Sequence, residues 1–166
     1  DIVGSGSTPL NPLVVGTTPS RINYGSYRNL VLGDENASFI FGNQTSSYFY
    51  CLPIERARYK QAILPGTWTL NISGSANELS LTDDSKVNTV AQFSDAGRYY
   101  NIISGSAGAV RTTSDQTDDN GWTLNSGSYG WILPDVDLLI LSGEALDAAA
   151  ADGGIALGTG RSNGSW

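Results

Sequence analysis

The sequence predicts an all-β or mostly β domain, an antiparallel sandwich or barrel with one short helix near residues 144–151. Three observations predict it. Val, Ile, Thr, Tyr and Trp carry the apolar runs, and these residues favour strands. The residues of helical surfaces are scarce, with four Glu and two Lys (Lys60 and Lys86) in 166 residues. Turn signals recur about every 8–12 residues, the spacing of a sandwich or barrel.

The elements follow in order. Residues 1–20 carry Pro9, Pro12 and Pro19 among several glycines, which predicts an extended arm or linker. Its apolar centre, Leu13-Val14-Val15, suits an arm that packs on a neighbour; the alternative is a frayed lead-in. The β-rich domain is expected over 21–157. Asn29–Leu32 reads as its first strand, followed by a turn over 33–36. Ser38–Phe41 and Ser47–Leu52 come next, separated at Gly42-Asn43. Thr67–Ile72 alternates, placing Trp68, Leu70 and Ile72 on one face. Glu78–Thr82 alternates too, and residues 73–77 between them form a hairpin link. Arg98–Ile103, Trp122–Leu124 and Asp137–Leu141 complete the strands.

Alanine propensity predicts the one helix, Glu144–Ala151, with Ser142 as its cap and Gly153 or Gly154 as its stop. About two turns long, it must lean on the sheet. Residues 158–166 form a flexible or partner-docked tail, and the terminal Trp166 suits a pocket on its own or a neighbouring chain. Trp68-Thr69-Leu70-Asn71 is echoed by Trp122-Thr123-Leu124-Asn125, as a duplicated hairpin or as coincidence in a Ser/Gly-rich chain.

Charge and composition remove function classes. A net charge of −7 opposes binding to nucleic acid and to anionic membranes, and favours repulsion between copies. No apolar run reaches the ~18 residues of a membrane span. No signal peptide is visible, and a chain starting at Asp1 is expected to be a processed product, an excised domain or part of a longer chain. The absence of histidine rules out Ser-His-Asp and Cys-His catalysis and His-based zinc sites. Cys51, the single cysteine, allows no intrachain disulfide and reads as a small buried side chain in a strand. The Gly-Ser clusters at 104–108 and 126–130 lack the first glycine of a nucleophile elbow. Neither lysine follows a phosphate-binding loop. No cofactor or metal is therefore expected, and the chain is expected not to be an enzyme.

Carboxylates and cations remain. Asp83-Asp84 marks a hairpin end. Asp115, Asp118 and Asp119 lie in a segment whose register fails that of a calcium loop, so a solvated turn is expected there, with a weak calcium site between subunits as the alternative. A glycosidase pair from distant carboxylates is the lowest-ranked reading. Arg56, Arg58 and Lys60 share one face of an extended segment. They suit an interface with acidic loops of a neighbour or, equally, a solvated edge that discourages aggregation. Sequons stand at Asn36, Asn43, Asn71 and Asn163. Trp122, Tyr129 and Trp131 are candidate exposed aromatics for a carbohydrate-binding or adhesin-type β-sandwich, the alternative function, whose partner is a surface glycan.

Four blocks carry a resemblance. Residues 56–70 run from Arg56-Ala57-Arg58-Tyr59-Lys60 through Pro65-Gly66-Thr67-Trp68 into a strand. Leu81-Thr82-Asp83-Asp84-Ser85 follows, then Gly97-Arg98-Tyr99-Tyr100-Asn101, then Tyr129-Gly130-Trp131 leading to Pro134-Asp135. Over about residues 55–150 their order resembles virion structural proteins of tailed phages, especially the contractile-tailed phages of marine bacteria and cyanobacteria. Asp137 departs from that pattern, which often has Gly there, and the family's segment usually lies inside a longer chain. The resemblance implies a non-enzymatic virion component (tail, baseplate, fibre or capsid surface) whose partners are copies of itself and other virion proteins. The interface candidates on this reading are Leu13, Val14, Val15, Arg56, Arg58, Lys60 and Trp166.

Overall fold

Pro19 and Gly33 bracket a helix that strand-like residues conceal. In the computed structural model, which describes residues 3–6, 19–34, 36–42, 44–46, 48–55, 62–75, 77–112 and 127–157, helix α1 spans Pro19–Leu32. This corrects the strand expected over Asn29–Leu32. Proline suits the first turn, where its missing N–H has no partner to lose. Tyr24, Tyr27 and Val31 recur at helical spacing and turn one face to the core. Gly33, at φ +70°, stops the helix by donating its N–H to Asn29 O at 3.1 Å. Arg28 then ties the following loop down, donating to Ala37 O and, at 2.9 Å, to Asn36 O while lying over the Tyr24 ring.

The rest is mostly β and antiparallel, as expected. The strands are β1 (Val3–Gly6), β2 (Phe39–Phe41), β3 (Gln44–Ser46), β4 (Tyr48–Pro53), β5 (Leu70–Ser73), β6 (Glu78–Asp83), β7 (Gln92–Ser94), β8 (Gly97–Ser106), β9 (Ala109–Val110), β10 (Gly130–Leu133) and β11 (Leu138–Ser142). One curled sheet forms a half-barrel in the order β1-β4-β11-β10-β8-β6-β5, with β7 and β9 each paired to β8. β2 and β3 form a separate hairpin. The expected strand at Trp122–Leu124 lies outside the described residues.

The middle of this sheet is covered on both faces. Phe49, Cys51, Trp131, Leu133, Leu138 and Ile140 pack under α1 and the β2–β3 hairpin, which add Tyr24, Val31, Phe39 and Phe41. Edge-on, stacked and tilted ring contacts run through this layer, the tilted pairs including Tyr99 4.4 Å from Trp131 and Phe49 5.0 Å from Tyr24. Such pairs contribute about 0.5–1.5 kcal/mol each beyond burial. On the other face Tyr50, Ile132, Leu139 and Leu141 meet Leu79, Leu81 and Ile102 across the curl. Trp68, Leu70 and Ile72 pack against this second cluster, on the shared face that their alternation predicts.

Helix α2 (Gly143–Asp147) begins where expected, with Ser142 Oγ accepting the Ala145 N–H at 3.2 Å. It is shorter than the expected two turns. The chain leaves it at Ala148, makes a 3-10 turn at Ala150–Asp152 and reverses at Gly153, φ +82°. The reversal lets Ile155 N donate to Leu146 O at 3.1 Å and puts the Ile155 side chain in the core. Burial of Ile155 overrides the alanine run. Among the described residues no helix is long and apolar enough to cross a membrane.

Candidate functional site

The candidate site is the side of the sheet formed by β4 and the edge strand β1. β4 sits between β11 and β1, pairing with β11 over Phe49–Pro53 and with β1 over Tyr48–Cys51. Its core-facing residues hold it in place from both faces, because Phe49, Tyr50 and Cys51 are buried. Its polar groups are spent on the elements behind it. Tyr48 donates to Asp147 Oδ2 at 2.5 Å and Tyr50 to Asp147 Oδ1 at 3.3 Å, so one carboxylate of α2 grips both tyrosines. Burial, followed by the bond to Asp147, pushes the Tyr48 phenol well above its ordinary value. Below Tyr48, Ser46 Oγ donates to Tyr48 O at 2.5 Å and receives a bond from the capping Ser142 at 3.1 Å, while Tyr24 donates to Ser46 O at 3.2 Å. β4 is thereby locked to α1, α2 and the β2–β3 hairpin at once.

β1 is unlike it. It reads Val3-Gly4-Ser5-Gly6, so two of four positions carry no side chain. It comes from the segment 1–20 expected to be an arm, of which the structure describes residues 3–6, the edge strand of this sheet, and residues 19–20, which already belong to α1.

The carboxylates at 83–84 are structural. They stand where β6 ends, but β6 pairs there with β8 and not with β7, so the expected hairpin end is corrected, and both are buried, at 0% and 2% exposure. Asp83 accepts the Gly66 N–H at 2.7 Å and the Ser85 N–H at 3.0 Å. Asp84 accepts the Asn101 N–H at 3.0 Å and the Asn101 side-chain amide at 3.1 Å. Burial raises the Asp84 carboxyl above its usual range, and the Asn101 and Asn88 bonds pull it back. Nearby, Thr82 Oγ1 donates to Trp68 O and accepts from Gly108 N, both at 2.8 Å. Further along, Asp135 accepts from Arg98 N at 2.9 Å and pairs with Arg98 Nη2 at 3.3 Å.

These bonds link the quoted sequence blocks. The Pro65-Gly66 turn is held by Asp83, Asp84 by the Asn101 strand, and the head of that strand by Asp135. The polar residues shared between blocks brace turns rather than line a cleft. Asp137, where the resembled pattern often has Gly, has φ +52° and lends its carbonyl to Ile54 N at 2.9 Å. Asp is among the few residues that enter this left-handed region without glycine.

Cys51 lies fully buried beside Tyr27, as its strand setting predicts. Burial raises its thiol, against the Tyr27 bond, so the thiolate a nucleophile needs is disfavoured. The same bond holds Tyr27 up to about 12. Two candidate platform aromatics are corrected: Tyr129 is 0% and Trp131 7% exposed, because they lie at the head of β10, a strand whose two faces are both covered. Tyr129 instead donates to Gly153 O, pinning the C-terminal reversal. The third aromatic, Trp122, lies outside the described residues. So do the interface candidates Leu13, Val14, Val15, Arg56, Arg58, Lys60 and Trp166, and the acidic Asp115, Asp118 and Asp119. Asn36 and Asn71 are exposed; Asn43 and Asn163 fall outside the described residues. Among the described residues, no three His, Cys, Asp or Glu side chains group as metal ligands.

The β1–β4 edge and the Asp147 grip escaped the sequence. Tyr48 and Tyr50 show in it only as strand formers, and nothing local signals that a carboxylate a hundred positions away meets them. The chain matches no family model, no curated protein and no solved structure.

Proposed function

We propose that this chain is a structural component of a phage virion, working through protein–protein contacts with copies of itself and with other virion proteins. The observation that supports assembly most is the β1–β4 edge, where a sparse, uncharged strand from the arm lies on a rigidly braced strand. Edges of this kind join chains through backbone bonds, without a catalytic or ligand pocket. The placement of the polar motif residues agrees, since Asp83, Asp84 and Asp135 hold turns. The phage assignment rests on the ordered resemblance of blocks over about residues 55–150, and their mutual bonding gives that order a structural sense.

Cryo-electron microscopy of the purified protein at high concentration tests the proposal. Closed rings, tubes or shells of repeated copies support it. Dispersed single domains at every concentration and salt overturn it.

A further inference from the structure

β1 and β4 differ in what holds them. β1 is four residues long, contains two glycines, and meets β4 through Val3↔Cys51, Gly4↔Tyr50, Ser5↔Phe49 and Gly6↔Tyr48. A backbone ladder joins it to β4, beside α1, and any copy of the same residues reproduces that ladder. β4 keeps its place without β1, being paired to β11, buried on both faces and gripped by Asp147. Neither strand carries a charged residue, so the repulsion between copies of net charge −7 does not fall on this seam. Residues 7–18 join β1 to α1, and fully extended they reach roughly 40 Å. That is comparable to the width of a domain of this size.

We infer that β1 is an exchangeable strand: residues 3–6 of one copy add to β4 of a second copy in the register they hold on their own. The inference rests on the assembly proposed above and supplies its contact. Exchange of an identical element creates no new surface to optimise, which makes it a low-cost route to association. Reciprocal exchange closes a two-fold dimer, and onward exchange builds a ring or filament.

The buried Cys51 provides the test. Residues directly opposite across an antiparallel pair have Cβ atoms about 4.5–5.5 Å apart, close to disulfide reach. A Val3→Cys/Cys51→Ser variant has its only thiol at position 3, and the wild type has its only thiol at Cys51. The two, made distinguishable in mass by a tag, are mixed in denaturant, refolded together and oxidised. A disulfide between them requires the strand of one on the β4 of the other. The expected result is a heterodimer on a non-reducing gel that increases with refolding concentration and disappears with reductant. A Ser80→Cys/Cys51→Ser control, whose thiol is exposed and remote from β4, gives none. A single-chain Val3→Cys variant reports the arrangement within one chain. If that variant closes internally, the protein is oligomeric by light scattering, and no heterodimer forms, the inference fails while assembly stands. If the protein is monomeric throughout, both fail. If no disulfide forms in either format, the β1–β4 register itself is wrong and the inference falls with it.

Discussion

Asp147 accepts hydrogen bonds from both Tyr48 and Tyr50, so one carboxylate at the end of α2 fixes two residues of β4. Bonds to a charged acceptor are worth about 1.5–3 kcal/mol when partly buried. Asp147→Ala removes both and is expected to destabilise the fold by about 2–3 kcal/mol, and Tyr48→Phe by about 1–2 kcal/mol. The double variant is expected to lose less than the sum, because the two changes share one bond. Urea unfolding of the four proteins of this cycle checks it.

Alkali is expected to weaken the fold. Tyr27 titrates near 12 when folded, above the ordinary value of 10.0. The folded state therefore holds its proton more tightly than the unfolded chain, and the stabilisation is complete below about pH 10 and lost as pH rises toward 12. Tyr24, Tyr48 and Tyr99 are raised as well and act in the same direction. Unfolding midpoints measured from pH 8 to pH 12 should fall along this limb, and Tyr27→Phe should make it shallower.

Asp84 has the opposite consequence from an ion-paired carboxylate, whose value is lowered. Its folded value is raised above 3.8, so its stabilising term is present at acid pH and is lost as pH rises through the folded value. Wild type should therefore gain stability relative to Asp84→Asn as pH falls through that window. Asp84→Ala, which strands the Asn101 N–H, is expected to cost about 1–3 kcal/mol at neutral pH. Denaturant titrations at paired pH values separate the two effects.

Two backbone positions discriminate between residues by conformation. Gly33 at φ +70° faces Asp95 so closely that a Cβ would collide with its carboxylate, and Gly33→Ala is expected to lower stability by at least about 1–2 kcal/mol. At Asp137, φ +52°, alanine meets the same left-handed penalty while glycine does not. Asp137→Gly should accordingly be less destabilising than Asp137→Ala, as thermal unfolding of the pair will show.

The hairpin of β5 and β6 was legible in the sequence because its alternation is clean and its link, where Gly74 N bonds Asn77 O at 2.9 Å, is built of turn residues. The β10–β11 pair was legible in part, since Leu138–Leu141 reads as a strand, yet burial on both faces hides the alternation that would tell one side from the other. Leu30-Val31-Leu32 looks extended by composition. It is helical because Tyr24, Tyr27 and Val31 must reach the aromatic layer together, a tertiary demand that Gly25 and Asn29 obscure locally. The acidic pair at 83–84 reads only as a hairpin end. It is buried because backbone donors from Gly66, Ser85 and Asn101 converge on it, and only the fold brings them there. The candidate edge is the least legible feature, since Val3-Gly4-Ser5-Gly6 carries almost no strand signal and is paired only because β4 offers an open ladder.

Sedimentation velocity of the intact chain, across concentration and at low and high salt, tests the assembly claim most directly. A discrete oligomer that grows with concentration and survives high salt is predicted, since backbone pairing and apolar burial are little screened. A single monomer boundary under all of these conditions would contradict it.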